Sequence, residues 1–314
     1  MTKAILVIQE LYPEQIEDLK EKAPEYQIIQ SSDEVDIKVI EIILGWSEEA
    51  RKIIENEESN VKWVQFPYAG VNYLPLEIMA KKGIILTNGS GIHAHSVTEQ
   101  AMGLLLGMTR HIVASGRLQT QAEWYEPKSL YELSGKTMVI VGAGNIGVQL
   151  GRVAQAFDMK TIGINRSGRK IENVDEQYLQ SELTNMIDKA DIVVNILPLT
   201  DETEHFYDKE LFDQMKDGVV FVNVGRGESV VTADLIAALD SGKIRSAGLD
   251  VFEEEPLPAD SELWAPEDVL MTPHIAGTLE SYPKHIYPLF MENFEAFKKG
   301  EPLPRNIVEL EEGY

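Results

Sequence analysis

The chain has 314 residues, contains no cysteine and carries 52 acidic against 28 basic side chains, a formal net charge of −24. The lack of cysteine excludes disulfides, thiolate-bound zinc and a thiol nucleophile, and it fits a reducing compartment. The excess of acids argues against nucleic acid as a partner, because that role needs an extended basic surface. The most apolar helical stretch, AMGLLLGMTR, covers about half a bilayer, so we expect a cytoplasmic protein without a membrane partner.

Short β-rich runs alternate with helical segments along the first hundred residues. The strand candidates are AILVI (4–8), VIEIIL (39–44), VKWVQF (61–66) and GIILTN (83–88). A helical pattern follows each of them, and the last is one long apolar-striped helix over 96–118. This alternation predicts a parallel sheet with crossover helices.

The same alternation restarts after a polar and aromatic loop at 120–134. Six more strand candidates follow it: KTMVIVGAG (136–144), MKTIGIN (159–165), ADIVVNIL (190–197), GVVFVNVG (218–225), IRSAGLD (244–250) and DVLMTP (268–273). Six is the number of strands in a doubly wound mononucleotide-binding sheet. The sequence therefore predicts a second α/β lobe of that kind.

The C-terminal segment 279–300 has a helical period but no strand to pair with in the second lobe. We expect it to cross back and pack on the first lobe. The predicted division is residues 1–100 plus 281–314 as one domain and residues 101–280 as the other. A ligand is expected in the cleft between them.

A glycine-rich loop, VGAGNIG, directly follows a strand candidate and opens an amphipathic helix, as dinucleotide-binding loops do. We expect Gly142 to permit a tight turn and Gly144 to let a pyrophosphate approach the backbone. Gly147 should allow close packing of the helix on the strand, while the first N–H groups of the helix face the phosphates.

The next strand ends on Asn165, where such folds usually place an acid that binds the adenosine ribose. An acid there repels a 2′-phosphate, and Asn165 removes that repulsion. Arg166, Ser167 and Arg169 offer cations and a hydroxyl to the phosphate. The pattern predicts a preference for NADP(H), with NAD possible; an exposed basic turn that only balances nearby acids is the alternative.

Three later strand ends each offer one group suited to the reduction of a ketone. Arg226 in VNVGRGESVV offers a planar guanidinium for a carboxylate or carbonyl oxygen. Glu255, before Pro256, offers a carboxylate. His274 in TPHIAG offers an imidazole, the side chain that exchanges protons most readily near neutral pH.

Each of these candidates has an alternative within the sequence, and Arg226 could instead be a structural C-cap partner or a surface arginine. Glu255 is the third acid of a run of three, and any of them could be a solvated loop acid. His285 is a second candidate for the proton donor. His93 and His95 form an H-x-H pair with no evident third ligand, so we expect no metal site.

Together with the glycine loop, the stretches NILPLT, NVGRG, LDVFEEEP and TPHIAG resemble the D-isomer-specific 2-hydroxyacid dehydrogenases, in order and spacing. PYAGVNYLP and NGSGIHAHSVTEQAMGLLLG are similar to that family's substrate loop and interlobe helix, so the resemblance covers nearly the whole chain. Within the family, the chain most resembles hydroxypyruvate and glyoxylate reductases and phosphoglycerate-dehydrogenase-like members. The resemblance implies a Rossmann nucleotide-binding domain, a smaller flavodoxin-like substrate-binding domain and a homodimer.

The resemblance also implies a reaction and a role for each site residue. Hydride passes between the nicotinamide and C2 of a small 2-oxoacid, and His274 gives a proton to the developing alkoxide. Glu255 fixes the imidazole, and Arg226 binds the carboxylate and the C2 oxygen. The substrate is also held by the 68–71 turn, that is by Tyr68, Ala69, Gly70 and Val71. The implied cofactor contacts are Gly142, Gly144, Asn145, Ile146, Gly147, Asn165, Arg166, Ser167, Arg169, Leu197, Pro198, Thr203, Val224, Gly225, Asp250, His274 and Gly277.

Three residues depart from the family pattern: Asn72, Thr98 and Gly225 stand where Asp, Ala and Ala are common. None of them removes a catalytic group, but they alter the surroundings of the substrate and the nicotinamide. Two other functions remain open from the sequence. One is an NAD-dependent phosphoglycerate dehydrogenase, and the other is a non-enzymatic protein that senses NAD(P)H.

Overall fold

The computed structural model describes residues 3–310 apart from 72, 125 and 128, and apart from the side chain of residue 34. Asn72 and the terminal residues of the predicted domain ranges therefore lie outside the described residues. The strands are β1 (Lys3–Val7), β2 (Tyr26–Ile29), β3 (Ile40–Leu44), β4 (Trp63–Gln65), β5 (Ile85–Thr87), β6 (Thr137–Val141), β7 (Lys160–Asn165), β8 (Glu176–Leu179), β9 (Ile192–Asn195), β10 (Val219–Asn223), β11 (Ile244–Leu249) and β12 (Val269–Met271).

α-Helices lie in seven of the eleven connections between these strands. The α-helices are α1 (Pro13–Lys22), α2 (Glu48–Glu55), α3 (Leu76–Lys82), α4 (Ala94–Thr109), α5 (Ile112–Gln119), α6 (Asn145–Ala156), α7 (Lys209–Gln214), α8 (Thr232–Asp240) and α9 (Tyr282–Lys299). Short 3-10 turns lie at Ser32–Glu34, Ile37–Val39, Gln180–Asn185, Ile187–Lys189, Gly227–Ser229 and Glu262–Trp264.

The chain divides into two compact units, residues 1–92 with 279–314 and residues 93–278. The predicted boundaries after residues 100 and 280 therefore need correction. Residues 93–100 belong to the second unit because α4 is one continuous helix, and it packs on α6, β10, β11 and β12.

The first unit contains a five-stranded parallel sheet in the order β2-β1-β3-β4-β5, which is the flavodoxin-like order. The sequence predicted four of these strands and missed β2, whose short YQII run is half exposed in the middle. Helix α9 packs on this sheet, where Phe290 and Phe294 share a core with Ile5 and Trp63. It continues through Pro288, and Pro283 lies in its first turn, where a missing N–H costs no hydrogen bond.

The second unit contains a seven-stranded parallel sheet in the order β12-β11-β10-β9-β6-β7-β8. This is the doubly wound order with one strand added beside the sixth, so the predicted fold class is confirmed. The predicted count of six is wrong, because β8 was missed. Its sequence, EQYL, has no apolar run, since the strand lies at the edge of the sheet and is largely exposed.

The single helix predicted over 96–118 is two helices in the structure, α4 and α5. They are separated at His111, whose backbone is in the left-handed region with φ of 54°. Neither glycine nor proline stands at this point, so no sequence signal marks the break. Among the described residues, no helix is both long and apolar enough to cross a bilayer.

Glu41 on β3 is a buried acid of the first unit, with 5% of its surface exposed. Its carboxylate accepts hydrogen bonds from the Tyr26 hydroxyl at 2.5 Å and the Lys62 ammonium at 2.5 Å, and it pairs with Lys3 at 3.0 Å. Burial raises the pKa of Glu41, but the three donors lower it by more, so the net pKa lies below its ordinary value.

This lowered pKa predicts acid-sensitive stability. The unfolded chain binds the proton more readily, so the stabilisation is fully present above the ordinary value of 4.5 and is lost as the pH falls through the lower, folded value. We expect Glu41→Gln to lower the Tm at about pH 7, and the difference from wild type to shrink below about pH 4. Thermal unfolding over this range measures it, with the exposed Glu25→Gln as the control. A difference that stays constant with pH contradicts the prediction.

Candidate active site

The glycine turn of the second unit lies between β6 and α6 and has the geometry that a bound phosphate requires. Gly142 has φ of 89°, and a Cβ there would lie 2.8 Å from the Ile196 carbonyl. A Cβ on Gly147 would lie 2.8 Å from the Ala143 side chain, which shows how closely α6 approaches the strand. A Cβ on Gly144 would meet nothing within 4 Å, so this side of the turn is open.

The start of α6 presents its first backbone N–H groups without a side-chain cap. Gly144 is the capping residue, and Asn145, Ile146 and Gly147 form the first turn. Helix N–H groups in this position have no partner within the helix and carry the positive end of its dipole. The turn therefore fits the pyrophosphate of a dinucleotide by its open backbone and its electrostatics.

The basic turn after β7 is held by two side-chain amides. Asn165 accepts a hydrogen bond from the Gly168 N–H at 2.8 Å and donates to the Arg169 carbonyl at 2.6 Å. Gln177 on β8 accepts from the Ile171 N–H at 2.7 Å and donates to the Arg169 carbonyl at 2.8 Å. These bonds fix the backbone of the turn.

The side chains of that turn that the sequence assigned to the cofactor point outward. Arg166, Ser167 and Arg169 are all exposed. The Ser167 hydroxyl accepts from the Arg169 N–H at 3.3 Å. The sequence did not single out Gln177, because its contact with the turn depends on the pairing of β7 with the missed strand β8.

The loops after β9 and β10 carry five of the remaining cofactor candidates. Thr203 donates to the Pro198 carbonyl at 2.6 Å, which closes the loop after β9. Leu197 and Val224 are 4% and 7% exposed, so they belong to the core as well as to these loops. Gly225 passes close to Leu197, where a Cβ would lie 2.8 Å from the Leu197 carbonyl.

His274 and Glu255 come together as the sequence predicted. The imidazole Nδ1 lies 2.6 Å from one carboxylate oxygen of Glu255, and the other oxygen accepts from the Phe252 N–H at 2.9 Å. A carboxylate oxygen only accepts, so Nδ1 carries the proton and Nε2 is left to exchange one with a ligand. The imidazole is half exposed, with 49% of its side chain accessible.

His285, the alternative proton donor, is exposed on α9 of the first unit.

The run of three acids separates into different roles. Glu253 accepts from the Thr232 N–H at 2.7 Å, and its other oxygen lies 3.2 Å from Nε2 of His205. Glu254 is exposed. Of the three, Glu255 is the acid that contacts His274.

Asp250 holds the turn that presents His274. The carboxylate is fully buried and accepts from the Thr272 hydroxyl at 2.5 Å and from the N–H groups of Ile275 at 3.0 Å and Ala276 at 2.8 Å. The His274 N–H donates to the Asp250 carbonyl at 2.7 Å. The turn is thereby fixed although His274 has φ of 51°, in the left-handed region. The family resemblance implied Asp250 only as a cofactor contact, and nothing in the sequence indicated its hydrogen bonds to this turn.

Arg226 follows β10, which lies next to β11 in the sheet, and the loops of Asp250, Glu255 and His274 follow β11 and β12. The guanidinium is half-buried and donates to the Gly225 carbonyl at 2.8 Å. Parallel strands end at the same edge of the sheet, where α/β proteins bind their ligands. The three predicted catalytic groups therefore stand on loops at one sheet edge.

The last cofactor candidate, Gly277, accepts a hydrogen bond from Nδ1 of His93 at 2.8 Å. The neighbouring His95 has Nδ1 3.1 Å from the Gln149 side-chain nitrogen. Within the ranges that the structure describes, no three His, Cys, Asp or Glu side chains are grouped so that they could hold a metal ion.

The predicted substrate turn lies in the first unit, after β4. The Tyr68 carbonyl accepts from the Gly89 N–H at 2.9 Å, and the Ala69 carbonyl accepts from the Asn88 side chain at 2.8 Å. A trans peptide points its N–H opposite to its C=O, so the N–H groups of Ala69 and Gly70 face away from these partners. Gly89 and Asn88 therefore hold the carbonyl side of these two peptides and not their N–H side.

The flanking residues of that turn differ in exposure. Val71 is 1% exposed and packs in the core of the first unit, so its side chain is structural. Tyr68 is 47% exposed and lies edge-on against Phe66 and Tyr282, with ring centroids 5.5 Å and 5.6 Å away.

Three comparisons with known proteins agree with these motifs. A family model described as the NAD binding domain of D-isomer specific 2-hydroxyacid dehydrogenase matches residues 102–276. The hydroxypyruvate reductase of Blautia hydrogenotrophica is 34% identical over 257 residues, which are 79% of this chain and 79% of that one.

Two solved structures are similar over nearly their full length. A phosphoglycerate dehydrogenase from Lactobacillus plantarum is 34% identical, with 98% of this chain and 100% of that chain covered and a TM-score of 0.59. An NADPH-dependent glyoxylate/hydroxypyruvate reductase from Sinorhizobium meliloti, in complex with NADP and sulfate, is 28% identical, with 99% and 100% covered and a TM-score of 0.80.

The family model covers more than half of the chain, and the hydroxypyruvate reductase of Blautia hydrogenotrophica aligns with it over most of both sequences. Sequence motifs, sheet order and relatives thus lead to the same assignment: the chain belongs to the D-isomer-specific 2-hydroxyacid dehydrogenases, a family of NAD(P)-dependent oxidoreductases.

Proposed function

We propose that this enzyme is an NADP(H)-preferring reductase of small, unphosphorylated 2-oxoacids such as glyoxylate and hydroxypyruvate. The observation that carries the proposal is the 2.6 Å contact between His274 and Glu255 at the sheet edge that ends β10, β11 and β12. The related hydroxypyruvate reductase and the NADPH-dependent reductase structure support the substrate class.

The chemistry follows from what each side chain can do. Glu255 accepts from Nδ1 of His274, so Nε2 can deliver a proton to the oxygen on C2 as its charge develops. Arg226, whose guanidinium is planar and always charged, binds the substrate carboxylate and orients C2. The N–H groups of Ala69 and Gly70 in the first unit keep their proposed role as donors to a carboxylate.

The residues of the glycine turn fit the dinucleotide. Gly144 leaves space for the pyrophosphate, and the first N–H groups of α6 bind it. When bound, the reduced nicotinamide supplies the hydride to C2. Thr203, Asp250 and Gly277 stand on loops of the same sheet edge and belong to the proposed cofactor site.

The preference for NADP(H) rests on the basic turn after β7. Asn165 uses both ends of its amide to hold the turn, so no acid faces the ribose from this position. Arg166, Ser167 and Arg169 are exposed on a fixed backbone and can bind a 2′-phosphate with little further ordering. The Sinorhizobium meliloti reductase structure is itself a complex with NADP.

The alternative substrate, 3-phosphohydroxypyruvate, carries a phosphate that needs further cations. In the 68–71 turn, the carbonyls of Tyr68, Ala69 and Val71 accept hydrogen bonds from neutral donors, those of Gly89, Asn88 and Leu74. Arg51 donates to the Tyr73 carbonyl at 3.0 Å, but its guanidinium lies 3.9 Å from Glu48 and 3.6 Å from Glu55, which balance its charge. These surroundings favour an unphosphorylated substrate.

The same proposal includes a homodimer in the cytoplasm. Ile112 and Trp124 of the second unit are 60% and 90% exposed. Both stand in the segment 107–131, from which Met108, Val113 and Tyr131 line a groove of about 440 Å³. Exposed apolar side chains around a groove are typical of protein–protein contacts. The absence of cysteine fits a reducing compartment.

The first prediction from the proposed function concerns the reaction. Rates with glyoxylate, hydroxypyruvate and 3-phosphohydroxypyruvate, each with NADPH and NADH, test the substrate class. Turnover of the phosphorylated acid alone would establish the phosphoglycerate dehydrogenase alternative. Tight NADPH binding without any turnover would instead establish the sensor.

The second prediction concerns the proton donor. We expect His274→Ala to lower kcat by ~10²–10⁴-fold, because a positioned proton transfer contributes about that much. Glu255→Gln should lower it less, since the amide oxygen still accepts a hydrogen bond while the charge is lost. His205→Ala is the matched control, because His205 also pairs with a glutamate of the same loop. Equal losses in the His205 and His274 variants contradict the assignment.

The third prediction concerns the cofactor. Arg166→Asp should shift the ratio of KM for NADPH to KM for NADH by about 10- to 100-fold toward NADH, since one charge-assisted hydrogen bond is worth about that much. Lys160→Asp, at the opposite end of β7, makes the same charge change as a control. An unchanged ratio in Arg166→Asp rejects the proposed phosphate contact.

The fourth prediction concerns assembly. Replacing Ile112 with Asp places a charge on the exposed apolar surface and should convert a dimer to a monomer in sedimentation velocity. Glu123→Gln, in the same segment, removes a charge and should leave the mass unchanged. A wild-type enzyme that sediments as a monomer removes the dimer from the proposal.

A further inference from the structure

Three buried polar side chains are hydrogen-bonded to one another and to the backbone carbonyl of Arg226. Asn195 and Asn223 are the last residues of β9 and β10, and the register of the sheet pairs them directly. Ser229 lies in the short 3-10 turn that follows Arg226. Asn195, Asn223 and Ser229 are 0%, 1% and 0% exposed. A buried polar group is costly unless its hydrogen bonds are made, so the direction of each bond matters.

The network has one consistent direction. The Asn195 amide nitrogen donates to the Asn223 side-chain oxygen at 3.0 Å and to the Ser229 hydroxyl at 2.7 Å. The Asn195 oxygen accepts from the Leu197 N–H at 3.1 Å, which fixes the orientation of this amide. Asn223 and Ser229 therefore both accept from Asn195, and each has a donor left.

Both remaining donors point at one atom, the carbonyl oxygen of Arg226. The Asn223 amide nitrogen lies 3.0 Å from it and the Ser229 hydroxyl 2.6 Å. Two donors occupy both lone pairs of this carbonyl, so the peptide between Arg226 and Gly227 cannot rotate without breaking a buried bond.

The same peptide is confined from its other side. A Cβ on Gly227 would lie 1.8 Å from the carbonyl oxygen of Phe252, so the two backbones are in direct contact. Phe252 in turn donates its N–H to Glu255. The backbone of Arg226 is thus held between the buried network and the loop that carries Glu255.

We propose that Asn195, Asn223 and Ser229 are positioning residues for the Arg226 guanidinium. They fix the peptide plane from which this long side chain leaves, and so limit the directions in which it can meet the substrate carboxylate. The inference rests on the proposed role of Arg226 and adds three residues that touch neither substrate nor cofactor. It also gives a role to Asn223, the first residue of NVGRG, to which the sequence analysis assigned none.

Ser229→Ala tests the inference because it removes one donor and little volume. We expect the KM for glyoxylate and hydroxypyruvate, and the Kd for oxalate by calorimetry, to rise about five- to tenfold, the worth of one buried hydrogen bond. The KM for NADPH should not change. Asn223→Ala should act in the same direction, and Ser229→Cys, which keeps a weak donor, should restore part of the loss.

Introducing Ser229→Ala into Arg226→Ala separates positioning from general damage. If Ser229 acts through the guanidinium, the second substitution has no further effect on KM or on oxalate binding once the guanidinium is gone. Thr161→Val is the structural control, since Thr161 is also fully buried and hydrogen-bonded, to Asp175 at 2.9 Å, at the far end of β7. It should lower the Tm and leave the KM for the 2-oxoacids unchanged.

The outcomes separate this inference from the proposed function. An equal effect of Ser229→Ala in both backgrounds, or wild-type affinity in both Ser229→Ala and Asn223→Ala, overturns the positioning role. Wild-type turnover and oxalate binding in Arg226→Ala overturn the proposed role of Arg226 itself.

Discussion

The buried carboxylate of Asp250 is the constraint on which the catalytic geometry depends. This carboxylate accepts from the Thr272 hydroxyl and from two backbone N–H groups of the following turn. The backbone carbonyl of Asp250 accepts from the N–H of His274. Four hydrogen bonds thereby tie the end of β11 to the turn after β12. Because His274 has a positive φ, this turn would be strained if it stood alone, and the bonds to Asp250 compensate for the strain. The contact between His274 and Glu255 follows from that fixed backbone.

The other functional turns of the second unit are built in the same way. Asn165 holds the basic turn after β7 through both ends of its amide, and Asn195 and Asn223 hold the loop of Arg226. In each case short polar side chains at strand ends fix the backbone of the turn, Asn165 and Asn223 directly and Asn195 through Asn223 and Ser229. The long side chains that are proposed to meet ligands are left partly exposed on a backbone that is already ordered. Binding then costs less conformational entropy than it would on a mobile loop.

Much of this could be predicted from the sequence, because the signals are local. The glycine turn lies between a strand and a helix within a few residues, and alternating apolar runs identify ten of the twelve strands that the described residues form. The missed features depend on contacts that are distant in sequence or leave no pattern. Strand β8 is polar because it lies at an edge, and the break at His111 is made by a residue that rarely adopts positive φ.

The candidate site, like the fold, could be predicted where its residues stand in local motifs. Each residue proposed to be catalytic stands in its own motif, but the choice of Glu255 among three acids came from the family resemblance alone. The structure resolves that choice by giving Glu253 a different partner, His205. The contacts of Asp250 and Gln177 were not predictable, since their partners meet them only when β11 pairs with β12 and β7 with β8.

The net charge of −24 sets a final condition on how such a protein binds anionic ligands. Its acids repel a phosphorylated cofactor and a carboxylate substrate at long range, but at physiological ionic strength charges separated by more than about 8 Å are largely screened. Affinity is then decided by groups in direct contact. In the proposed function these groups are the basic turn after β7, the first N–H groups of α6 and the guanidinium of Arg226, and hydrogen bonds hold the backbone of the basic turn and of the Arg226 loop. For a chain this acidic, fixing a few cations and N–H groups at the ligand compensates for a surface that repels it.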